Sequence, residues 1–449
     1  MKIYFEKLLM AIGVFAASTL NIDAQEQQPA MGQLDLTLGK AIEIALAENP
    51  TIRVADKDVE LKKVADKEAW QSLLPTLDAN LSFSHSIKVA EMKIAGKKMK
   101  FGEDGTSTAT GALTLSLPLF APAVYQNMKL TKEDILLAQE KARSSRLDMI
   151  NQVTKAYYSA LLAKDSYGVM QKSYNTSKEN FDVVNNKFKV GSVSEYDKIS
   201  AEVQMRNMNS SVVSAQTGLN LALLQLKVLM GVTANVDINI QDSLNRYESE
   251  LLLPQVSSEE LTLSNNSAMR QLDYNAKLLE RTRKILKTNF MPTAALQLTG
   301  QYQSVSNKDW NLFKYEYSPS STLAFSVSIP IFHASSWTKL KSNRIQLAQL
   351  EDTRTDTQRQ LNMAVESYKS NMASSIAQIE SNKEAVGQAD KAVSISSKRY
   401  EVGRGTILEL NQSETARTQA ELTYVQSIYD YLTNRADLDL TLGRETYLK

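Results

Sequence analysis

The 449-residue sequence contains no cysteine, only nine prolines and 16 glycines, and just two histidines, His85 and His333. Without cysteine there is no disulfide framework, no thiolate metal site, and no residue to carry the lipid of a bacterial lipoprotein. Two isolated histidines give little support to a transition-metal centre, and neither a Gly-rich phosphate loop nor a nucleophile elbow is present. No catalytic residue, metal or cofactor is therefore expected, and the chain is not read as an enzyme. Lys plus Arg number 51 against 50 for Asp plus Glu, so no basic excess recruits nucleic acid. Beyond the N-terminus no continuous apolar run reaches about 18 residues, the length a spanning helix needs. With a mean hydropathy of −0.30, that predicts no membrane-spanning helix.

What is present begins with Lys2 and Lys7 beside the apolar stretch Leu8 to Leu20, with Ala24 before Gln25. This pattern predicts a secretory signal peptide over residues 1–24. An exported chain with no lipid anchor and no spanning helix has one membrane-spanning option left, a closed β-barrel, because lipid satisfies no free backbone group.

The chain repeats itself. Leu117-Pro118-Leu119-Phe120 returns as Ile329-Pro330-Ile331-Phe332, Phe188-Lys189-Val190-Gly191 as Tyr400-Glu401-Val402-Gly403, and Met230-Gly231 as Leu442-Gly443, each 212 positions later. Leu74-Pro75-Thr76 returns as Met291-Pro292-Thr293, 217 later. The spacing predicts a tandem duplication, with a first repeat over 25–231, a belt segment over 232–260, a second repeat over 261–443 and a tail over 444–449.

Each repeat carries strands and then long helices. Leu77, Ala79, Leu81 and Phe83 alternate with Asp78, Asn80, Ser82 and Ser84, and the same period recurs near 110–117, 296–302 and 323–329. Hairpins are expected at about 77–118 and 294–330, with Pro75, Pro118, Pro292 and Pro330 at the strand–helix junctions. An apolar outward face with a small polar inward face suits a lipid-embedded, water-filled barrel. Four strands are too few to close one, so several chains must contribute. The lysine-bearing loop from Lys88 to Thr106 reads as a solvated tip. Trp310, Phe313, Tyr315 and Tyr317 read either as an interfacial girdle or as a self-packed loop. The stretches 121–188 and 334–400 lack proline and predict helices about 100 Å long. Ser192–Gly231 and Leu261–Phe290 are expected to stack end to end beside them.

These features resemble the TolC family of outer-membrane efflux proteins. The opening Leu36-Thr37-Leu38-Gly39-Lys40-Ala41-Ile42, running to Ala45-Leu46-Ala47-Glu48-Asn49-Pro50, is similar to that family's first-helix signature, and the doubled aromatic-x-Val-Gly turns match as well. The resemblance implies a mainly α protein with a transmembrane β-barrel portion. In it, three chains form a 12-stranded barrel on a 12-helix periplasmic tunnel. It further implies a bacterial outer-membrane location and docking to a periplasmic adaptor and an inner-membrane pump, through helical tips at Val190, Gly191 and Ser192 and at Val402, Gly403 and Arg404. Asp197 and Tyr400 match closing contacts of the periplasmic gate, and Glu409 the first position of an acidic ring. Gln412 stands at that ring's second position. Gly405 stands where a basic gate residue belongs, with Arg404 beside it. The rival reading is a periplasmic structural coiled coil without a channel.

Overall fold

The computed structural model describes residues 34–88, 91–94, 97–100, 104–251, 262–306 and 315–445. The expected signal peptide, Trp310, Phe313 and the end of the tail lie outside the described residues. Strand β1 (Leu34–Leu36) leads into helices α1 (Leu38–Glu48) and α2 (Pro50–Gln71), then strand β2 (Thr76–Ser86). A small antiparallel pair, β3 (Glu91–Ile94) and β4 (Lys97–Lys100), forms where a plain loop tip was expected. Strand β5 (Thr106–Phe120), α3 (Pro122–Lys189) and α4 (Glu195–Met230) complete the first repeat. Strand β6 (Ile238–Ile240) and helix α5 (Leu244–Leu251) follow. The second repeat is α6 (Ser267–Thr288), β7 (Thr293–Ser306), β8 (Ser318–Ser328), α7 (Ala334–Glu401) and α8 (Ile407–Leu442).

Corresponding helices have equal lengths: 22 residues for α2 and α6, 68 for α3 and α7, 36 for α4 and α8. Their ends are written in the sequence. Pro122 opens α3 at its first turn, where a missing N–H costs nothing. Ser194 caps α4 in a reciprocal box with Asp197, and Thr406 caps α8. Gly231 and Gly443 end α4 and α8 in the left-handed conformation.

The end-to-end stacking differs from the expected order. Helix α2 continues the line of α4, and α6 that of α8, so each repeat stacks within itself. A Cβ on Gly231 would lie 2.9 Å from the Glu48 carbonyl oxygen, and one on Gly443 would collide with the Asn265 carbonyl. Only glycine allows these helix ends to abut.

The strands form one antiparallel sheet in the order β2-β5-β7-β8, so the two hairpins are joined through β5 and β7. Register places Leu77, Leu115, Leu298 and Leu323 in one row, and Asp78, Thr114, Thr299 and Thr322 in the next. One face is therefore apolar and the other polar, and among the described residues no layer covers the apolar face: Leu81 is 88% and Leu323 67% exposed. Pro118 does not end its strand as expected. It lies inside β5 opposite Ala295, beside a register shift that lets pairing resume at Phe120; the helix-opening proline is Pro122. Pro75 and Pro292 precede β2 and β7 directly, and Pro330 follows β8. Tyr315 and Tyr317 pack on each other with ring centres 6.5 Å apart.

A further correction concerns α4. It is long and apolar enough to cross a membrane by length and composition, and only 11% of its most apolar stretch is buried in one chain. Its Val, Leu and Ala are interrupted by Asn, Gln, Ser and Thr, so no continuous run betrays it. Within the fold it lies along α3.

The main core sits at mid-height, where β1, α1, β6 and α5 wrap the long helices. Strands β1 and β6 pair in parallel, Leu34 opposite Ile238. Tyr157 of α3 is fully buried and donates a 3.0 Å hydrogen bond to Asp242. The Leu244 amide donates to Asp165 at 2.8 Å. Glu248 accepts from Lys383 of α7 at 2.7 Å and Tyr424 of α8 at 2.8 Å. The Lys383 contact holds that carboxyl below its usual range. The belt thus grips both repeats. Helices α3 and α8 meet in a polar seam: Lys155 on Asp437 at 2.9 Å, Ser173 with Thr418 at 2.9 Å, and Lys172 on Glu421 at 2.8 Å.

Candidate functional site

Two helix reversals lie side by side at one end of the molecule. At each, a glycine sits at φ 71°, Gly191 after α3 and Gly403 after α7. The next residues close the turn: Ser192 N donates to Lys187 O at 2.9 Å and Arg404 N to Arg399 O at 2.8 Å. With Gly191 N donating to Phe188 O at 2.8 Å and Gly403 N to Tyr400 O at 3.2 Å, this paired capping satisfies carbonyls that the last turn would otherwise leave free. Val190 is 79% and Val402 69% exposed, and Gly191, Ser192, Gly403 and Arg404 are exposed with them.

A small apolar cluster holds the two reversals together. Val184, Ala201, Ile407 and Leu410 are buried there, with Phe181, Val193 and Tyr400 packed on them. Tyr400 therefore sits at the join of both helical hairpins. Its hydroxyl is buried without a hydrogen-bond partner among the described residues. Burial raises its pKa, and the negative charge of Asp197 adds to the effect. Asp197 itself is committed to capping, accepting from the Ser194 hydroxyl at 2.8 Å. The two residues are thus brought face to face without a hydrogen bond. Lys187 lies over the Tyr400 ring, 5.1 Å from its centre.

The basic partner at this end is Arg399, a residue the sequence reading passed over. It lies 3.5 Å from the Glu409 carboxylate, an ion pair without a hydrogen bond, and donates to the Arg404 carbonyl at 3.2 Å. Gly405 is a glycine for a local reason: a Cβ there would sit 3.1 Å from the Arg399 Cβ and 3.2 Å from the Tyr400 nitrogen. Arg404 and Gln412 are both exposed and make no side-chain hydrogen bond among the described residues.

A further buried group lies about a turn inward. Glu414 of α8 is 2% exposed, accepts a hydrogen bond from Asn180 of α3, and has Arg417 beside it. Burial pushes its carboxyl up to about 7, against smaller lowering effects of Asn180 and Arg417. The signal for it was available in the sequence: Ile407, Leu410 and Glu414 share one helical stripe, so an acid stands at a core position.

Comparison with known proteins follows the same lines. The family described as outer membrane efflux protein matches residues 41–232 and 260–444. The alkaline protease secretion protein AprF of Pseudomonas aeruginosa is 23% identical over 428 residues, which span 93% of this chain and 86% of that one. Outer membrane protein TolC of Escherichia coli is 22% identical over 417 residues, 89% of this chain and 80% of that one. Among solved structures, the CmeC outer membrane channel of Campylobacter jejuni superposes with a TM-score of 0.72 at 17% identity, covering 95% of this chain and 94% of its own.

Proposed function

The chain belongs to the outer membrane efflux protein family and is an outer-membrane protein, and from that premise we propose that it is the exit duct of a tripartite efflux or type I secretion system. Three chains close their sheets into one 12-stranded barrel, and their helices form a tunnel across the periplasm. An inner-membrane pump and a periplasmic adaptor supply energy and cargo; the duct conducts passively.

The observation that carries this reading is the bare two-faced sheet mounted on helices about 100 Å long. Its apolar face has no protein core to cover and its polar face no solvent-side role unless it lines a pore. The outer edges of β2 and β8 have no strand partner among the described residues of one chain, and lipid tolerates no open sheet edge. The adaptor meets the tips at Val190, Gly191, Ser192, Val402, Gly403 and Arg404. Tyr400, Asp197, Arg399 and Glu409 form the periplasmic gate, which opens when the α7–α8 pair swings from α3–α4.

Purified oligomer in planar bilayers tests the duct, with discrete conducting steps expected; a protein that leaves membranes in carbonate and makes no steps refutes it. Asp197→Ala with Tyr400→Phe should raise the conductance of the resting channel. An unchanged conductance removes these residues from the gate.

A further inference from the structure

The lysine-bearing segment between β2 and β5 is not a bare loop. The ladder of β2 and β5 closes with Gly105 N donating to Ser86 O at 2.7 Å, and β3 and β4 pair beyond it. Helices α2 and α3 adjoin the other end of these strands, so β3 and β4 stand at the end of the sheet opposite the helices.

Positive charge gathers there. The whole chain carries a net charge of +1, yet residues 88–100 hold five lysines and one glutamate. Register sorts them by face. Lys93 stands opposite Lys98 and Glu91 opposite Lys100, while the alternate positions pair Met92 with Met99 and Ile94 with Lys97. Successive strand residues belong to opposite faces. Lys93, Lys98 and Lys100 therefore share one face, and Met92, Ile94 and Met99 the other. Lysines that only blunt an open strand edge have no need to share a face. A basic face backed by an apolar one suits the boundary between hydrocarbon and charged headgroups.

Strand β2 leads to the same boundary. The apolar row of Leu77, Ala79, Leu81 and Phe83 is continued past His85 by Ile87, which is 85% exposed, and the exposed Lys88 follows it. The lysines thus begin where the lipid-facing row ends.

We propose that β3, β4 and Lys88 form a binding surface for the phosphate-bearing headgroups of outer-leaflet lipid, with Lys93, Lys98 and Lys100 as its phosphate-binding face. This rests on the duct proposed above, which sets that end of the sheet in the outer leaflet. A cluster of about four to eight basic residues beside a membrane is a recognition surface for anionic lipid. Each lysine offers a phosphate a compact charge with several donors.

The full-chain oligomer in nonionic detergent tests this. It is incubated with a phosphorylated glycolipid or with the dephosphorylated form of the same lipid, and the lipid still bound after gel filtration is measured. Selective retention of the phosphorylated lipid is expected, falling as salt is raised. Each glutamine placed at Lys93, Lys98 or Lys100 should weaken retention about fivefold, and arginine at all three should preserve it. Equal retention of the dephosphorylated lipid, or full retention by the triple glutamine variant, overturns the proposal. Displacement of the lipid by an equal concentration of inorganic phosphate overturns it too, since the site would then be one for free phosphate. Planar bilayers keep the two readings apart. A triple glutamine variant that conducts but has lost the lipid supports the surface, and one that conducts and keeps the lipid sinks the surface alone. An unsubstituted protein that makes no conducting steps sinks the duct and the surface together.

Discussion

Asn49 and Asn266 each hold two ends of the chain with one side chain. The Asn49 carboxamide oxygen accepts from Thr51 N at 2.8 Å to start α2, while its nitrogen donates to Leu229 O at 2.7 Å near the end of α4. Asn266 repeats the arrangement, accepting from Met269 N at 3.0 Å and donating to Thr441 O at 2.7 Å. Alanine at either position loses a cap and strands a carbonyl, which should cost about 2 kcal/mol. Thermal unfolding in detergent checks this; Asn266→Ser should retain a capping oxygen and lose only the tie, and so fall between. Glu414 gives a pH prediction. Its carboxyl is raised from 4.5 to about 7, so the protonated form suits the closed seam. That stabilisation is full below about 4.5 and is lost as pH rises through about 7. Facing it are Asn180 from α3 and Arg417 from its own helix, while Gln204 of α4 reaches the neighbouring Thr415. Trypsin cleavage at the helical tips, measured relative to cleavage of an unstructured peptide at each pH, should therefore speed up between pH 6 and pH 8 in the native protein and stay level in Glu414→Gln. Of these residues, the tip glycines were legible in the sequence because a tight reversal demands a positive φ. Asn49 and Asn266 share the 217-residue offset of Pro75 and Pro292, yet their tie to a carbonyl some 180 residues away has no local signature. Arg399 was hidden because its partner is chosen by the fold of the turn.

At the scale of elements, the joint between repeats depends on one buried acid. Glu140 of α3 is 4% exposed and takes Arg143 at 3.0 Å, Arg270 at 3.2 Å and the Ser267 hydroxyl at 2.8 Å. Arg143 in turn donates to Gly443 O at 2.8 Å and Asn265 O at 3.1 Å. One cluster thereby fixes the start of α6 and the end of α8 on α3. Glu140→Ala leaves Arg270 without this acid and Arg143 with only the exposed Glu445, 3.3 Å away. Both guanidinium groups are partly solvated, so the loss should be about 2 kcal/mol rather than the larger cost of a fully buried pair. Limited proteolysis should then cut first near the start of α6, while β2–β5 stays intact. Cleavage elsewhere would show that the joint does not depend on this cluster. The long helices, the strands and the 212-residue offset were readable, because proline, glycine and two-residue alternation punctuate the chain. The β1–β6 pair was not: three residues meet a partner 204 positions away, and so short a strand carries no periodic signal. The stacking of α2 on α4 escaped for the opposite reason, since helix lengths fit more than one partner and the Gly231 contact and the Asn49 tie decide. Pro118 misled because a proline on an interrupted stretch of ladder resembles one at a strand's end.

For the whole molecule, the orientation of the sheet is the decisive quantity, since a duct and an inside-out surface sheet share one sequence pattern. Leu323 and Thr322 are neighbours in β8, opposite Leu298 and Thr299. They point to opposite faces, and both are exposed in one chain. If the leucine face meets lipid, Leu323→Arg places a cation near mid-strand in hydrocarbon, at a cost of about 2–4 kcal/mol per chain. Each closed barrel pays it once per subunit. The yield of heat-dissociable oligomer in the outer membrane should fall sharply. Thr322→Arg adds the same volume and charge to the pore side, where water solvates it. That variant should assemble normally and shift the channel's selectivity toward anions in planar bilayers, because a ring of fixed positive charge repels cations. Normal assembly of Leu323→Arg together with failure of Thr322→Arg would invert the barrel. Failure of both would point to a sheet buried on two sides. Only the lipid-out arrangement predicts the asymmetry in this direction, and neither substitution touches the helical body, so loss of the tunnel fold cannot imitate it.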